Sequence, residues 1–193
     1  MDNHKVTMAP AKKFLVCIAA ASLAVVVYGL AALPGPLFSR PFSPVLLSRE
    51  GVLLDARVAA DGQWRFSCPD AVAGRYRAAL VAGEDRRFRW HPGVDPFAVA
   101  RALWQRLGNG GKRSGASTLT MQLMRMANGN PERTVADKLS EMAQAVGFEL
   151  FHSKREIISL YACHAPMGGN VVGLEAASWL YFRRPPEEMS WAE

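Results

Sequence analysis

At 193 residues, half of them hydrophobic, the chain is long enough for one medium domain plus an attachment segment. Its 23 Lys and Arg against 17 Asp and Glu leave a net charge of +6, and most of the cations are Arg, the side chain suited to bidentate recognition of phosphate or carboxylate. No long cationic run and no nucleic-acid motif accompanies them, which sets DNA and RNA aside and points to a membrane surface or an anionic substrate.

Residues 14–33, FLVCIAAASLAVVVYGLAAL, carry no charge over twenty positions. As a helix this run is about 30 Å long, the thickness of a bilayer's hydrocarbon core. Lys5, Lys12 and Lys13 precede it and Pro34-Gly35-Pro36 stops it, so the positive-inside rule puts the N-terminus in the cytoplasm and the rest outside. A cleaved signal peptide is the alternative; the run is long for one, and no small-x-small site precedes Pro34. A buried core helix fits less well, because the run has no polar face. Of three cysteines, Cys17 lies in this run, leaving Cys68 and Cys163, which can pair in an oxidising compartment although their spacing does not decide it. No spacing suggests zinc.

Residues 45–66 alternate short apolar runs with Gly51 and Asp61-Gly62, the pattern of a small hairpin or three-stranded ribbon with Asp-Gly as its turn. It reads as a spacer without chemistry. Beyond Asp70 the pattern is helical, with an Ala-rich helix over 71–81. Then comes the densest stretch of the chain, EDRRFRWHPGVD at 84–95: adjacent carboxylates, three Arg, two aromatics, a His-Pro-Gly turn and an Asp-Pro helix start. A solvated loop with Asp95 as an ordinary N-cap is its bland explanation. Asp95 and Pro96 suit N-cap and N1 of a helix in which Phe97, Ala100, Trp104 and Leu107 recur at helical spacing. The basic loop 108–115, GNGGKRSG, lacks the register of a nucleotide-binding phosphate loop.

The next helix is capped by Ser117 or Thr118. Leu119, Leu123 and Met126 form its apolar stripe, while Thr118, Gln122 and Arg125 share another face, either as an anion cradle at a helix N-terminus or as a solvated polar surface. A long helix over 133–151 is predicted to bury Val135, Leu139, Met142 and Val146. Arg133 lies at its start, Lys138 and Glu141 form an i, i+3 pair, and Glu141 sits beside the stripe, where a carboxylate can border a cleft. Ser153 with Glu156 forms a capping box for the following helix. A Pro/Gly loop then enters a last helix that ends at Arg183, Arg184 and Pro185-Pro186.

Four spaced blocks coincide with one family. Glu84, Asp85, Phe88, His91, Gly93 and Asp95 match every defined position of Glu-Asp-x-x-Phe-x-x-His-x-Gly-x-Asp. Gly115, Ser117, Thr118, Leu119, Thr120, Met121, Gln122 and Arg125 follow Gly-x-Ser-Thr-Ile-Thr-Gln-Gln and a later cation. Arg133, Thr134, Lys138 and Glu141 meet an Arg-Thr pair leading a basic helix that ends in Glu. Lys154, Glu156, Ile157, Tyr161, Gly168, Gly169, Gly173, Ala176 and Ala177 meet Lys-x-Glu-Ile, Tyr-Leu-Asn, a Gly-rich loop and an Ala-Ala helix. From about Asp70 onward the chain thus resembles the family-51 peptidoglycan glycosyltransferases, in particular the penicillin-binding protein 1C type.

The resemblance implies a mainly α, lysozyme-like helical glycosyltransferase domain with an N-terminal transmembrane helix, a short β-hairpin spacer and a smaller membrane-embedded lobe. Residues 1–13 would be a cytoplasmic tail, 14–33 the membrane span, 34–69 the linker and 70–193 the transferase domain, held outside a bacterial inner membrane. Lipid II and the growing glycan would be its partners, with other cell-wall synthases. In such enzymes a sugar hydroxyl of lipid II displaces undecaprenyl pyrophosphate with inversion. Glu84 then corresponds to the general base, and Ser117, Thr118, Gln122, Arg125, Arg133 and Lys138 to the groups that hold substrate and pyrophosphate. Glu141 corresponds to a second essential carboxylate that steadies the cations. The family pattern demands no cofactor, but it leaves room for a divalent cation, Mg or Mn, at Glu84 or Glu141. The reading requires both carboxylates to border one groove flanked by cations.

Some positions depart from the pattern. Met121 replaces the first Gln of a pair, Asp137 stands where a cation precedes Lys138, and Ala162-Cys163 replaces Leu-Asn. The chain ends at Glu193, where a fifth motif would begin, so the domain is expected to be incomplete at its C-terminus, without the family's last helices. No Ser-x-x-Lys is present for acylation by penicillin. Met121, Met124 and Met126 suit the core better than a lipid contact. Two other functions stay open: a lytic glycosidase using Glu84 as an acid, and a silent tethered remnant that binds lipid-linked sugar or partner synthases. The cation set argues against the first, since cutting glycan releases no pyrophosphate; intact Glu84 and Glu141 argue against the second.

Overall fold

The computed structural model describes residues 10–68, 71–107, 115–129 and 134–193. The basic loop 108–114 and Arg133 lie outside these residues. Helix α1, Pro10–Ala31, is apolar on all sides beyond Lys12 and Lys13 and almost wholly exposed, and it is long and apolar enough to cross a membrane. After it, β1 (Val45–Leu47) and β2 (Leu53–Ala56) pair antiparallel in a hairpin whose turn lies at Ser48 and Gly51 and not at the expected Asp61-Gly62. The Asp61-Gly62 turn does not extend that ribbon. It delivers β3 (Trp64–Arg65) into a second sheet, parallel to β5 (Val171–Val172), which pairs antiparallel with β4 (Pro166–Gly168). The stretch read as a spacer is thereby joined to the far end of the chain. Cys68 and Cys163 form a disulfide across a separation of 95 residues and reinforce that joint.

The helical body consists of α2 (Gly74–Glu84), α3 (Pro96–Leu107), α4 (Leu119–Ala127), α5 (Val135–Glu149), α6 (Lys154–His164) and the short α7 (Leu174–Ala177). Local chemistry fixes their starts. Asp95 Oδ1 accepts from the N–H groups of Phe97 and Ala98, Thr118 from Met121, and Ser153 with Glu156 closes a capping box. Asp137, which departs from a basic consensus, closes a second capping box with Thr134. Phe88, Leu119, Met121, Leu123, Met124, Phe148, Ile157 and Ile158 form the core between α4, α5 and α6. Met121 and Met124 are thus core residues.

Two expectations about the helices are corrected. Helix α2 begins at Gly74, after extended Ala73, and ends at Glu84, so Glu84 is its last residue. In α5 the expected stripe is only half inward: Val135 and Leu139 are 69% and 60% exposed, Met142 and Val146 are partly buried, and the inward face is Glu141, Ala143, Gln144, Ala145, Gly147 and Phe148. The cause is α1. Small residues let two helices approach, and a Cβ added at Gly29 would lie 2.0 Å from the Ala143 carbonyl oxygen. Gln144 bridges the pair, donating to the Ala32 carbonyl at 2.7 Å and accepting from Asn128 at 2.7 Å. In α3 the helical spacing is present but faces outward, with Phe97 and Trp104 largely exposed.

Candidate active site

Glu84 and Asp85 are neighbours in the chain and have opposite surroundings. At the end of α2 the backbone leaves the helix, with Asp85 at φ −152°, and this turns the two carboxylates apart. Asp85 is buried. Its Oδ2 accepts from the Leu119 N–H at 3.0 Å, at the start of α4, and His91 Nε2 lies 3.0 and 3.1 Å from its two oxygens. Glu84 stays exposed, and Gln122 Nε2 donates to its Oε2 at 3.0 Å. Tyr161 of α6 donates its hydroxyl to Gln122 Oε1 at 2.9 Å.

Phe88, His91, Gly93 and Asp95 of the same stretch are scaffold for that carboxylate. Phe88 fills the core. Gly93, at φ +88°, passes so close to α5 that a Cβ would lie 2.4 Å from the Ala145 carbonyl oxygen, and its own carbonyl accepts from Thr118. Arg87 holds Asp95 through two nitrogens at 2.8 Å. Burial alone would raise the Asp95 carboxyl pKa, but Arg87 and the α3 N–H groups outweigh it and hold the group below the usual carboxylate range. Lys154 Nζ donates to the His91 carbonyl at 2.7 Å and to Glu149 at 2.6 Å, and lies over the Phe88 ring. Thr120 donates to the other oxygen of Glu149.

A second acidic centre lies on α5. Glu141 is 6% exposed, with Lys138 Nζ 3.5 Å from Oε2 and Arg125 Nε 4.0 Å from Oε1. Lys138 Nζ also donates to the Ser117 hydroxyl at 2.6 Å. Arg125 Nε is buried and makes no hydrogen bond among the described residues. Glu84 borders an open groove of about 970 Å³, and Glu141 an adjoining pocket of about 340 Å³. Ser117, Gln122 and Arg125 form the wall common to both. Glu84 and Glu141 therefore border adjoining cavities that share this wall, with cationic and hydrogen-bonding groups between them. Of the residues read as ligands, Ser117, Gln122, Arg125 and Lys138 meet here. Thr118 lines the groove too, but its hydroxyl is committed to Gly93 and the α4 cap.

Three contributors had no assigned role in the sequence. Tyr161 stood in a matched block, but its partner is 39 residues away, and Arg86 and Arg101 line the groove from a loop and from α3. A divalent cation suits these surroundings poorly. Mg and Mn need several oxygen ligands, whereas Glu141 faces an ammonium and a guanidinium and Glu84 an amide NH₂. The compact set Cys68, Cys163 and His164 has both sulfurs engaged in the disulfide.

A mainly helical domain behind an apolar N-terminal helix thus carries one exposed and one buried carboxylate on either side of a wall formed by Ser117, Gln122 and Arg125. Residues 56–193 match the Transglycosylase family, and the chain belongs to it. It is 42% identical over 161 residues to penicillin-binding protein 1C of Escherichia coli K12, an alignment covering 83% of this chain and 21% of that protein. Penicillin-binding protein 1A of Haemophilus influenzae is 39% identical over 115 residues, covering 60% and 14% of the two chains. Penicillin-binding protein 1F of Bacillus subtilis is 33% identical over 117 residues, covering 61% and 16%. The chain thus spans about a fifth or less of the length of these relatives.

Proposed function

We propose that the domain polymerises lipid II into glycan strands on the outer side of a bacterial inner membrane, with α1 as its single span. Glu84 takes the proton of the acceptor sugar hydroxyl as the hydroxyl oxygen bonds to C1 of the growing glycan. The C1–O bond to undecaprenyl pyrophosphate breaks at the same time, and its electron pair leaves with the pyrophosphate. One base on one face calls for no covalent intermediate, so C1 inverts. Negative charge grows on the leaving phosphate, and Arg125 with Lys138 and Ser117 meets it, joined by Arg133 on the reading from the motif. Glu141 holds the two described cations in register. The observation that carries this reading is the buried Arg125 Nε without a hydrogen bond, in the wall shared by both cavities. A glycosidase has no use for such a group, because hydrolysis of glycan sets no pyrophosphate free.

Replacing Glu84 with Gln tests the proposal. Glu84→Gln is expected to abolish glycan formation from lipid II while lipid II binding, followed by fluorescence anisotropy of a labelled analogue, stays within a few-fold. Undiminished polymerisation by Glu84→Gln removes Glu84 from the base role.

A further inference from the structure

We propose that Tyr161 is a positioning residue for the reaction, holding the Gln122 amide so that its NH₂ edge faces Glu84 and its carbonyl edge faces away. The inference rests on the reading of Glu84 as the base. An ionised carboxylate only accepts hydrogen bonds, so an amide beside it must present NH₂, and its own oxygen must then find a donor. The Tyr161 hydroxyl, 2.9 Å from Gln122 Oε1, is that donor, and Gln122 Nε2 completes the relay at 3.0 Å from Glu84 Oε2. Turned over, the amide would set its oxygen against the carboxylate.

Three features make the relay specific. Burial, and then the charge of Glu84, raise the phenol pKa of Tyr161 above its ordinary value, so the hydroxyl keeps its proton. Gln122 works alone, because the side chain before it, Met121, is fully buried in the core. The backbone that carries Tyr161 is fixed on its far side, where Ala162 is buried and Cys163 is bridged to Cys68. The consequence for chemistry is directional. With Oε2 of Glu84 held, Oε1 is the oxygen left to receive the proton, and its lone pair is aimed before substrate arrives.

The test uses the full chain in detergent with lipid II, and a cycle of substitutions at Tyr161 and Gln122. Tyr161→Phe is expected to lower kcat about tenfold with KM within twofold and no change in Tm, whereas in a Gln122→Leu background the same change has no further effect. Equal losses in both backgrounds, or a loss that follows Tm, overturn the proposal. A readout independent of turnover is the side-chain amide signal of Gln122 in ¹H–¹⁵N spectra, identified by its disappearance in Gln122→Leu. It is expected to move in Tyr161→Phe and in Glu84→Gln; a signal unmoved by Tyr161→Phe overturns the proposal. Full kcat in Tyr161→Phe beside an inactive Glu84→Gln sinks this inference alone, while an active Glu84→Gln sinks the reading beneath it.

Discussion

The Arg125 guanidinium stands 4.0 Å from the Glu141 carboxylate, near enough for attraction and too far for a hydrogen bond. Arg125 is therefore held near Glu141 by charge, with its Nε buried and without a hydrogen bond among the described residues. Glu141→Gln removes that hold from Arg125 and Lys138 together. We expect polymerisation to fall about 100-fold, comparable to loss of a charge-stabilising donor in other enzymes, with inhibition by added pyrophosphate weakened in parallel. Initial rates across a pyrophosphate titration check this.

Asp85→Ala separates scaffold from chemistry. It strips His91 of its partner and the first turn of α4 of a carboxylate, all in a buried setting, and is expected to cost about 2–4 kcal/mol in denaturant unfolding. Glu84→Gln, one residue earlier and exposed, should leave the unfolding midpoint where it is.

Cys163→Ser cuts the tie between the segment after β3 and the end of α6. Losing a cross-link over a long loop is expected to cost about 3 kcal/mol. Adding a reductant to the parent chain should reproduce the loss, and the variant itself should be insensitive to the reductant.

His164 gives the domain an acid-sensitive joint. Its ring stacks on Phe38 with centroids 3.7 Å apart, and burial, with help from the Arg65 charge, lowers its pKa from 6.5 to about 4. Between those values the unfolded chain takes up a proton that the folded domain refuses, so stability declines as pH falls from 6.5 towards 4 and this contribution levels off below. His164→Phe, which keeps the stack, should flatten the decline in thermal melts across that range.

Gly29→Leu tests the seat of α1. A side chain there collides with the Ala143 carbonyl, so α1 must move off α5 and the Gln144 bond to Ala32 must break or shift. The Tyr28 hydroxyl bond to Ser140 at 3.3 Å should be lost with the seat, so a double-mutant cycle of Tyr28→Phe and Ser140→Ala in thermal melts should show coupling in the parent background and none beside Gly29→Leu.

What could be read from residue order was whatever is settled within a few positions. The caps at Asp95, Thr118 and Ser153, the apolar α1 and the first hairpin all rest on such local patterns. The buried face of α5 was misread because Val135 and Leu139 are its most apolar residues, yet helices close on small side chains, and nothing near Gly147 announces that Gly29 is its neighbour. Adjacent Glu84 and Asp85 look alike in sequence. Only the break at the end of α2 sends one to the groove and the other inward. The β3–β5 pairing and the Tyr161–Gln122 bond join distant segments, and no short-range signal marks either.

Three thiols could couple in three ways, but the structure leaves no choice among them. Cys17 rides on α1, and wherever that helix is immersed in lipid its sulfur is beyond the reach of aqueous oxidants and of the other two cysteines. Among the described residues the thiol outside α1 that remains for Cys68 is Cys163, so pairing of these two closes the joint between the segment after β3 and the end of α6.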